Sequence, residues 1–247
     1  MTNKIRVAAK RSLGQNFLVN EGVADRIIAA AAPGPGEHVL EVGPGTGMLT
    51  RRLASTDAQV VAVEKDRRLI GKLTEAFAGE PNVSVIEGDI REWTPPWPSG
   101  GYAVIANIPY YLTSFLLRLM WERWPQPSRA VLMVQAEVAD RIMADPPDMN
   151  LLALSVRLFA VPSRVMRVSR GSFRPSPDVD SAVIRLDRLP HQSPTAARAL
   201  ALARAAFGHK RKKLTATIDA ASLERAGISP SARPQELSAE DWLRLAS

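Results

Sequence analysis

Hydrophobic and polar residues follow a pattern along the chain that predicts short buried strands separated by amphipathic helices. Apolar residues three and four positions apart indicate helices, whereas short continuous apolar runs indicate strands. The predicted strands cover residues 38–42, 59–64, 83–86, 102–106, 130–135, 164–168 and 182–186. The predicted helices cover residues 20–32, 48–54, 67–77, 114–124, 137–144 and 151–159.

Strands that alternate with helices of this length are typical of a parallel, doubly wound sheet. The predicted fold class is therefore α/β, with helices on both faces of the sheet. The composition changes after Leu189: residues 190–194 resemble a linker, and residues 195–247 show helical periodicity without a convincing strand. We therefore predict two domains, residues 1–188 with the sheet and residues 189–247 as a small helical domain.

Candidate binding residues follow three successive predicted strands. Doubly wound sheets bind ligands beyond the carboxyl ends of their strands. The first of these strands runs into Gly43-Pro44-Gly45-Thr46-Gly47, where glycines allow a sharp turn and the next helix offers free N–H groups to a ligand. This spacing departs from the G-x-G-x-x-G dinucleotide fingerprint, and a purely structural tight turn would also explain it.

Two acidic residues extend this pattern. Glu64 ends the second strand, about 20 residues after the first glycine, where an acid can accept hydrogen bonds from the ribose hydroxyls of an adenosine-bearing cofactor. Asp89 follows the third strand and is placed to accept a hydrogen bond from the adenine amino group. Each acid alone is also compatible with a solvated strand end or a helix N-cap, but their joint occurrence favours a cofactor site.

Asn107-Ile108-Pro109-Tyr110 ends the fourth predicted strand and suggests a reaction. A planar amine on a nucleobase or amide is a weak nucleophile, because its lone pair is delocalised into the ring or carbonyl. An enzyme that alkylates it needs acceptors for its N–H groups and an aromatic face for its ring. Asn107 and the Ile108 carbonyl supply the acceptors, and Tyr110 supplies the face. An ordinary Asn-x-Pro turn would account for Asn107 and Pro109 but not for the aromatic residue.

Composition limits the possible chemistry. The chain has 247 residues and no cysteine, which excludes disulfides, thiolate metal sites and a cysteine nucleophile, and fits a reducing compartment. His38, His191 and His209 are scattered, and neither a Ser/His/Asp arrangement nor metal-ligand spacing occurs, so we predict no metal. Without a long apolar run or a secretory signal pattern, we expect a cytoplasmic protein with no membrane segment. The formal charge of +7 fits either ordinary solubility or a polyanionic partner.

Long motifs carry a resemblance to a known family over nearly the whole chain. The chain resembles the class I S-adenosylmethionine-dependent methyltransferases and, within them, the ribosomal RNA adenine N6-dimethyltransferases. The motifs that carry it are LGQNFL at 13–18, VLEVGPGTG at 39–47, VAVE at 61–64, GD at 88–89, NIPY at 107–110, MVQAEVA at 133–139 and FRPSPDVDSAV at 173–183. The resemblance implies a Rossmann-like methyltransferase sheet.

The resemblance also implies residue roles. It assigns S-adenosylmethionine binding to Gln15, Asn16, Leu18, Gly43, Gly45, Glu64, Lys65, Asp89, Ile90 and Asn107. It assigns the target-adenine pocket and catalysis to Asn107, Ile108, Pro109, Tyr110 and Phe173. The adenine would be extruded into this pocket and sandwiched between Tyr110 and Phe173, and two methyl transfers to N6 would give N6,N6-dimethyladenine. Tyr111 adds a second aromatic residue to which the resemblance assigns no role.

The tail bears on which RNA is the substrate. One branch of the family dimethylates two adjacent adenosines in the loop near the 3′ end of small-subunit (16S) RNA, and the other dimethylates one adenosine in large-subunit (23S) RNA and confers macrolide resistance. Residues 204–214, with the basic run 210–213, and residues 226–242 resemble a helix and the C-terminal end of the small-subunit branch. Read alone, this run is equally compatible with a solvated helix face.

We therefore expect a monomeric enzyme that acts on small-subunit RNA or on an assembling 30S particle. Its predicted RNA-binding residues are Lys10, Arg11, Arg174, Lys210, Arg211, Lys212 and Lys213. The alternatives are a large-subunit RNA methyltransferase and a non-catalytic, RNA-binding assembly or transcription factor. Three features depart from the family pattern: Asp178 stands where a basic residue is usual, residues 145–150 differ from the usual loop, and Tyr111 follows Tyr110 as a second aromatic residue.

Overall fold

The computed structural model describes residues 5, 7–10, 13–209 and 211–247. These residues form two compact units. The first consists of the described residues up to Ala139 together with Ser163–Asp187, and the second of Asp140–Pro162 with Arg188–Ser247. The second unit therefore includes a segment, Asp140–Pro162, that the sequence analysis places in the first domain.

The strands and helices are as follows. The strands are β1 (Phe17–Leu18), β2 (His38–Val42), β3 (Gln59–Glu64), β4 (Val83–Glu87), β5 (Tyr102–Asn107), β6 (Arg129–Gln135), β7 (Ala160–Val168), β8 (Phe173–Arg174) and β9 (Ser181–Arg188). The α-helices are α1 (Glu21–Ala31), α2 (Met48–Ala54), α3 (Arg67–Ala76), α4 (Thr113–Arg118), α5 (Ala136–Met143), α6 (Leu151–Arg157), α7 (Ala196–Phe207), α8 (Ala220–Arg225) and α9 (Ala239–Leu245). A π-helical turn, Leu119–Arg123, continues α4, so the single helix predicted over 114–124 changes its winding halfway.

The main sheet has seven strands in the order β4-β3-β2-β5-β6-β9-β7. Strands β4, β3, β2, β5 and β6 are parallel, and β9 runs antiparallel to β6. Strands β3 and β4 are added in turn on one side of β2, and β5 and β6 are added in turn on its other side. Right-handed crossovers therefore place α2 and α3 on one face and α4 on the opposite face. The predicted α/β fold is confirmed, but the sheet is mixed rather than wholly parallel, because β9 runs antiparallel to β6.

Local signals explain why the first elements begin and end where they do. The Asn20 side chain accepts a hydrogen bond of 3.2 Å from the Val23 N–H and caps the start of α1. The helix ends at Ala31 and is followed by Ala32 in a left-handed conformation, just before Pro33. The central strand β5 is fully buried from Tyr102 to Ala106, as expected for a strand covered on both faces. These elements hold the carboxyl ends of β2, β3 and β5 side by side.

A second, two-stranded sheet was not predicted. Strand β1 pairs antiparallel with β8, with Phe17 opposite Arg174 and Leu18 opposite Phe173. Each strand has only two residues, too few for an alternating pattern to be recognised. This pair fixes the N-terminal motif beside the segment that contains Phe173.

The second unit is helical apart from the ends of strands β7 and β9. Trp242 of α9 is fully buried, and its ring centroid lies 6.1 Å from that of Phe207 at the end of α7. The Met149 N–H donates to the Gln235 carbonyl at 3.1 Å, which ties the segment 140–162 to the C-terminal helices. Within the described ranges, the longest helices are too short or too polar to cross a bilayer.

Candidate active site

A cavity opens at the carboxyl ends of strands β2, β3 and β5 in the first unit. Its volume is about 1090 Å³, including space open to solvent. The predicted donor- and target-binding residues all border it, namely Gln15, Asn16, Leu18, Gly43, Gly45, Glu64, Lys65, Asp89, Ile90, Asn107, Ile108, Pro109, Tyr110 and Phe173. Residues from six separate stretches of the sequence thus meet at one edge of the sheet.

The glycine turn lines the floor of this cavity. Gly43 and Gly45 have φ angles of +68° and +57°, in the left-handed region that favours glycine. A Cβ atom at Gly43 would meet nothing within 4 Å and would protrude into open space, whereas one at Gly45 would lie 3.2 Å from the Phe17 ring. The backbone at Gly43 is therefore open to a ligand, and Gly45 allows the N-terminal motif to pack against the turn.

Glu64 is the best-held acid of the site. Its Oε2 accepts a hydrogen bond from the Gly45 N–H at 3.0 Å, and its Oε1 accepts from the N–H groups of Lys65 at 2.9 Å and Asp66 at 2.8 Å. Burial raises the pKa of Glu64, and the three N–H groups oppose that rise. Because a carboxylate has about four lone-pair sites, Glu64 can hold the glycine turn and still accept a hydrogen bond from a ligand.

Asp89 is held by two cations. Arg91 donates to both of its oxygens at 3.0 Å through Nε, and Lys65 Nζ lies 2.7 Å from its Oδ2. The Arg91 guanidinium, followed by the Lys65 ammonium, holds the pKa of Asp89 well below its usual range. Asp89 is therefore a charged acceptor at the position predicted for the adenine end of the donor, and a ligand amino group would share it with these cations.

Sequence reasoning missed Asp66, which ties the N-terminal motif to strand β3. Gln15 Nε2 donates to Asp66 Oδ2 at 2.8 Å, while Gln15 Oε1 accepts from the Lys10 N–H at 2.8 Å. Arg68 hydrogen bonds hold the pKa of Asp66 well below its usual range. Asp66 also caps α3, and that local role is the only signal the sequence carries for it.

Asn107 and Tyr110 are positioned by partners far away in the sequence. Asn107 Nδ2 donates to the Asn16 carbonyl at 3.4 Å, so the carboxamide is oriented by the N-terminal motif. The hydroxyl groups of Tyr110 and Ser181, a fully buried residue of β9 that sequence reasoning missed, lie 3.0 Å apart. Phe173 borders the cavity but is only 1% exposed, so its stacking on a base stays a prediction.

Glu41 is a buried acid whose burial the sequence did not reveal. It is 1% exposed, borders the cavity, and its Oε2 has no hydrogen-bond partner among the described residues. Burial, with a smaller contribution from the Glu64 carboxylate, raises the pKa of Glu41 to about 8, although Thr50 and Arg51 oppose the shift. At neutral pH Glu41 is therefore mainly a neutral acid at the base of the glycine turn.

This shift predicts how the stability of the ligand-free protein depends on pH. Because the folded state holds a proton that the unfolded chain releases near pH 4.5, the stabilisation is full below that pH and is lost as the pH rises towards about 8. We expect the free energy of unfolding to fall across this window by at most about 1.4 kcal/mol per pH unit. Urea titrations at several pH values measure it.

The Glu41→Gln variant should flatten this slope and leave only the contribution of other groups such as Glu64, whose pKa burial also raises. The matched control is Glu87→Gln, because Glu87 is also a strand-end glutamate but its side chain is 47% exposed. An identical slope in wild type and Glu41→Gln would show that the Glu41 carboxyl does not titrate in this window.

The predicted RNA-binding cations are found in both units. Lys10 and Arg174 are exposed in the first unit, where Arg174 Nη1 donates to the Phe173 carbonyl at 2.8 Å. Arg211, Lys212 and Lys213 are exposed in the second unit. They follow the end of α7 at Phe207, so the basic run there is not part of the helix. Arg11 and Lys210 lie outside the described residues.

The cavity fits S-adenosylmethionine. The open floor at Gly43 lets a ligand approach the main chain closely, and Glu64 and Asp89 provide acceptor carboxylates for the nucleoside part of the donor. Clusters of three or more metal-ligating side chains do not occur in the part of the chain that the structure describes. Fold and site together define a class I, S-adenosylmethionine-dependent methyltransferase.

Comparison with known proteins narrows this class. The chain belongs to the ribosomal RNA adenine dimethylase family, whose model matches residues 6–247. A ribosomal RNA small subunit methyltransferase A from Dehalococcoides mccartyi is 41% identical over 96% of this chain and 87% of that protein. A protein of the same name from Synechococcus sp. (strain CC9311) is 42% identical over 96% of this chain and 94% of that protein.

Two solved structures resemble the whole chain. A dimethyladenosine transferase from Plasmodium falciparum superposes with a TM-score of 0.82 and 29% identity, covering 93% of this chain and 95% of that one. The 23S rRNA methyltransferase ErmE superposes with a TM-score of 0.77 and 31% identity, covering 94% of this chain and 98% of that one. The predicted family, enzyme class and methyl donor are thereby confirmed.

Proposed function

We propose that the protein transfers methyl groups from S-adenosylmethionine to N6 of two adjacent adenosines in the loop near the 3′ end of small-subunit (16S) RNA. The observation that carries the reaction is that the Asn107–Tyr110 turn opens onto the same cavity as the glycine turn and Glu64. The choice of RNA is supported by the near full-length match to proteins named ribosomal RNA small subunit methyltransferase A.

The chain's own residues bind and position the two reactants. Glu64 and the Gly43–Gly45 backbone hold the donor, with Asp89 at its adenine end. When bound, S-adenosylmethionine supplies a methyl group on a positively charged sulfur. The Asn107 carboxamide oxygen and the Ile108 carbonyl accept the N6–H hydrogens of the target adenine. These hydrogen bonds draw the N6 lone pair out of the ring system and aim it at the donor.

Positioning rather than strong base catalysis accounts for the rate. Tyr110 is held through its hydroxyl by Ser181 and presents its ring to an adenine that has left the RNA stack. Orienting two reactants in this way contributes several kcal/mol, of order 7–11, to lowering a barrier. Since one cavity of one chain contains all these groups, we propose that the protein acts as a monomer.

The C-terminal part of the second unit supplies RNA recognition in this proposal. We assign that role to residues 189–247, with the assembling 30S particle in the cytoplasm as the partner. The basic run after α7 supports the assignment, because cations that neutralise phosphates bind RNA with a strong dependence on salt. Lys10 and Arg174 would add phosphate contacts from the first unit.

A large-subunit target is the second candidate, favoured by the match to the 23S rRNA methyltransferase ErmE over 94% of this chain. The test is to incubate the protein with a labelled methyl donor and unmodified small or large subunits or their RNAs, then map the labelled adenines. We expect two adjacent labelled adenosines in small-subunit RNA. Label confined to large-subunit RNA would select the second candidate, and donor binding without any label would favour a non-catalytic RNA-binding factor.

Replacing Arg211, Lys212 and Lys213 with glutamine should weaken RNA binding. Each lost phosphate contact lowers the slope of log affinity against log salt by about one, so we expect a reduction of up to about three. RNA affinity measured at several salt concentrations gives this slope. A control with the same change in net charge replaces the exposed Arg26, Arg67 and Lys72. Equal slopes in the two triple variants would show that the basic run has no special role.

A further inference from the structure

The exposed side chains of the segment after β5 form one continuous stripe. The segment is helical from Tyr110 to Arg118, and its exposed residues Tyr111, Ser114, Phe115 and Arg118 are spaced three and four positions apart. Residues at this spacing lie on one face of a helix. Leu112, Leu116 and Leu117 point the other way and are buried. We call these four exposed residues the aromatic stripe.

Two large aromatic side chains in this stripe are exposed without a packing reason. Tyr111 is 63% exposed and Phe115 is 36% exposed, among only five large hydrophobic residues that are exposed in the described part of the chain. Tyr111 follows the Tyr110 of the target pocket directly and borders the same cavity. The stripe therefore begins at the mouth of the pocket and runs away from it along the surface.

The Tyr111 ring is held in place on one side. A Cβ atom on Gly14 would lie only 3.3 Å from Cδ1 and Cε1 of Tyr111, so the ring packs beside the Gly14 backbone. Arg91 borders the same cavity as Tyr111. An exposed ring fixed at one edge loses little further freedom when a flat ligand stacks on its face.

Cations flank the two rings. Arg91 remains 48% exposed although it pairs with Asp89, and Arg118 is exposed at the far end of the stripe. Aromatic faces alternating with cations match single-stranded nucleic acid, in which unstacked bases alternate with phosphates. Because the stripe starts where the target adenine enters, the nearest base on it belongs to a neighbouring nucleotide.

We propose that Tyr111, supported by Phe115, stacks on the base next to the target adenosine, and that Arg118 contacts the RNA backbone beside it. The inference rests on the proposed function, in which the neighbouring nucleotide is the second of the two adjacent adenosines. Tyr111 is then a positioning residue. It holds one of the two adenosines by stacking while the other is methylated in the pocket, so that the RNA advances by one nucleotide between the two modifications.

The test combines two variants with two RNA hairpins. One hairpin carries both adjacent adenosines, and the other has an abasic site beside the target adenosine. We expect Tyr111→Leu to bind the intact hairpin roughly ten- to hundredfold more weakly than wild type, the loss typical of removing one stacked base contact. Tyr111→Phe keeps the aromatic face and should bind nearly as wild type does.

The abasic hairpin distinguishes stacking from a general defect. If Tyr111 stacks on the missing base, wild type and Tyr111→Leu bind the abasic hairpin equally, so the two losses are not additive. Additive losses, or full affinity of Tyr111→Leu for the intact hairpin, would overturn the inference. A weakened affinity of Tyr111→Leu for S-adenosylhomocysteine would overturn it as well, because it would place Tyr111 in the donor site.

Arg118 has a matched control. Arg118→Gln should lower the salt slope of RNA binding by about one, while Arg123→Gln, at an exposed arginine outside the stripe, should leave it unchanged. Equal slopes for both variants would show that Arg118 does not contact the RNA.

Wild-type activity separates the two proposals. If the wild-type protein modifies no adenine of small-subunit RNA, the proposed function fails. If its activity is normal but the losses of affinity caused by Tyr111→Leu and by the abasic site are additive, only the stacking inference is overturned.

Discussion

Asn107→Ala should lower the rate of methyl transfer about a thousandfold, a loss typical of deleting one preorganised hydrogen-bonding group at a reacting centre. The carboxamide Nδ2 donates to the Asn16 carbonyl at 3.4 Å and Asn107 borders the cavity, so Oδ1 is the atom that we expect to accept a hydrogen bond from a ligand there. Without that oxygen, the N6 lone pair stays delocalised and poorly aimed. Single-turnover assays with labelled donor measure the rate constant.

Donor affinity should change far less in this variant, because Glu64 and the glycine turn are left intact. Isothermal titration with S-adenosylhomocysteine measures it, and we expect a change of less than about tenfold, which is 1.4 kcal/mol. Asn107→Asp is the matched variant, since it keeps an acceptor oxygen and loses the donor to Asn16. Transfer by Asn107→Asp as slow as by Asn107→Ala would mean that the tie to the N-terminal motif, rather than the acceptor, is what matters.

Glu64→Ala should lower donor affinity at least about a hundredfold. Hydrogen bonds to a charged group contribute about 1.5–3 kcal/mol each, and Glu64 has about one lone-pair site left to accept such a bond from the donor ribose. The variant also leaves the N–H groups of Gly45, Lys65 and Asp66 without their acceptor, which releases the glycine turn. Titration with S-adenosylhomocysteine measures the affinity.

Glu87→Ala provides the control for this experiment. Glu87 ends the neighbouring strand β4 directly opposite Glu64, but its side chain is 47% exposed and pairs with Arg67 on the surface. Exposed pairs of this kind contribute about 0–1 kcal/mol to stability, so little change is expected in either binding or thermal unfolding. Equal donor affinities for the Glu64 and Glu87 variants would contradict the role of Glu64.

Local chemistry explains why much of the fold could be predicted. Strands β2 and β3 and helix α2 have the predicted bounds, because each apolar pattern ends at a local signal: Gly43 after β2, Glu64 at the end of β3 and the polar residues 55–57 after α2. The glycine turn, Glu64 and Asp89 could be located for the same reason: in a parallel sheet, residues that follow successive strands meet at one edge. The motifs also identified the family, which the comparisons confirm.

The tertiary structure decided what depends on contacts between distant parts of the chain. The β1–β8 pair, the contact of Tyr110 with Ser181 and that of Gln15 with Asp66 join residues 51 or more positions apart, and nothing in either local sequence signals its partner. The burial that raises the pKa of Glu41 is likewise a property of the packed sheet and helix α2, not of the motif that contains it.

The sequence by itself thus determined the α/β fold, the family, the methyl donor and the edge of the sheet where the site lies. Only the tertiary structure placed Asp140–Pro162 with the C-terminal helices, ended α7 before the basic run and left Tyr111 exposed beside the target pocket. The physical reason is that periodicity and turn chemistry act over a few residues, whereas burial, exposure and side-chain partners are set by which elements pack together.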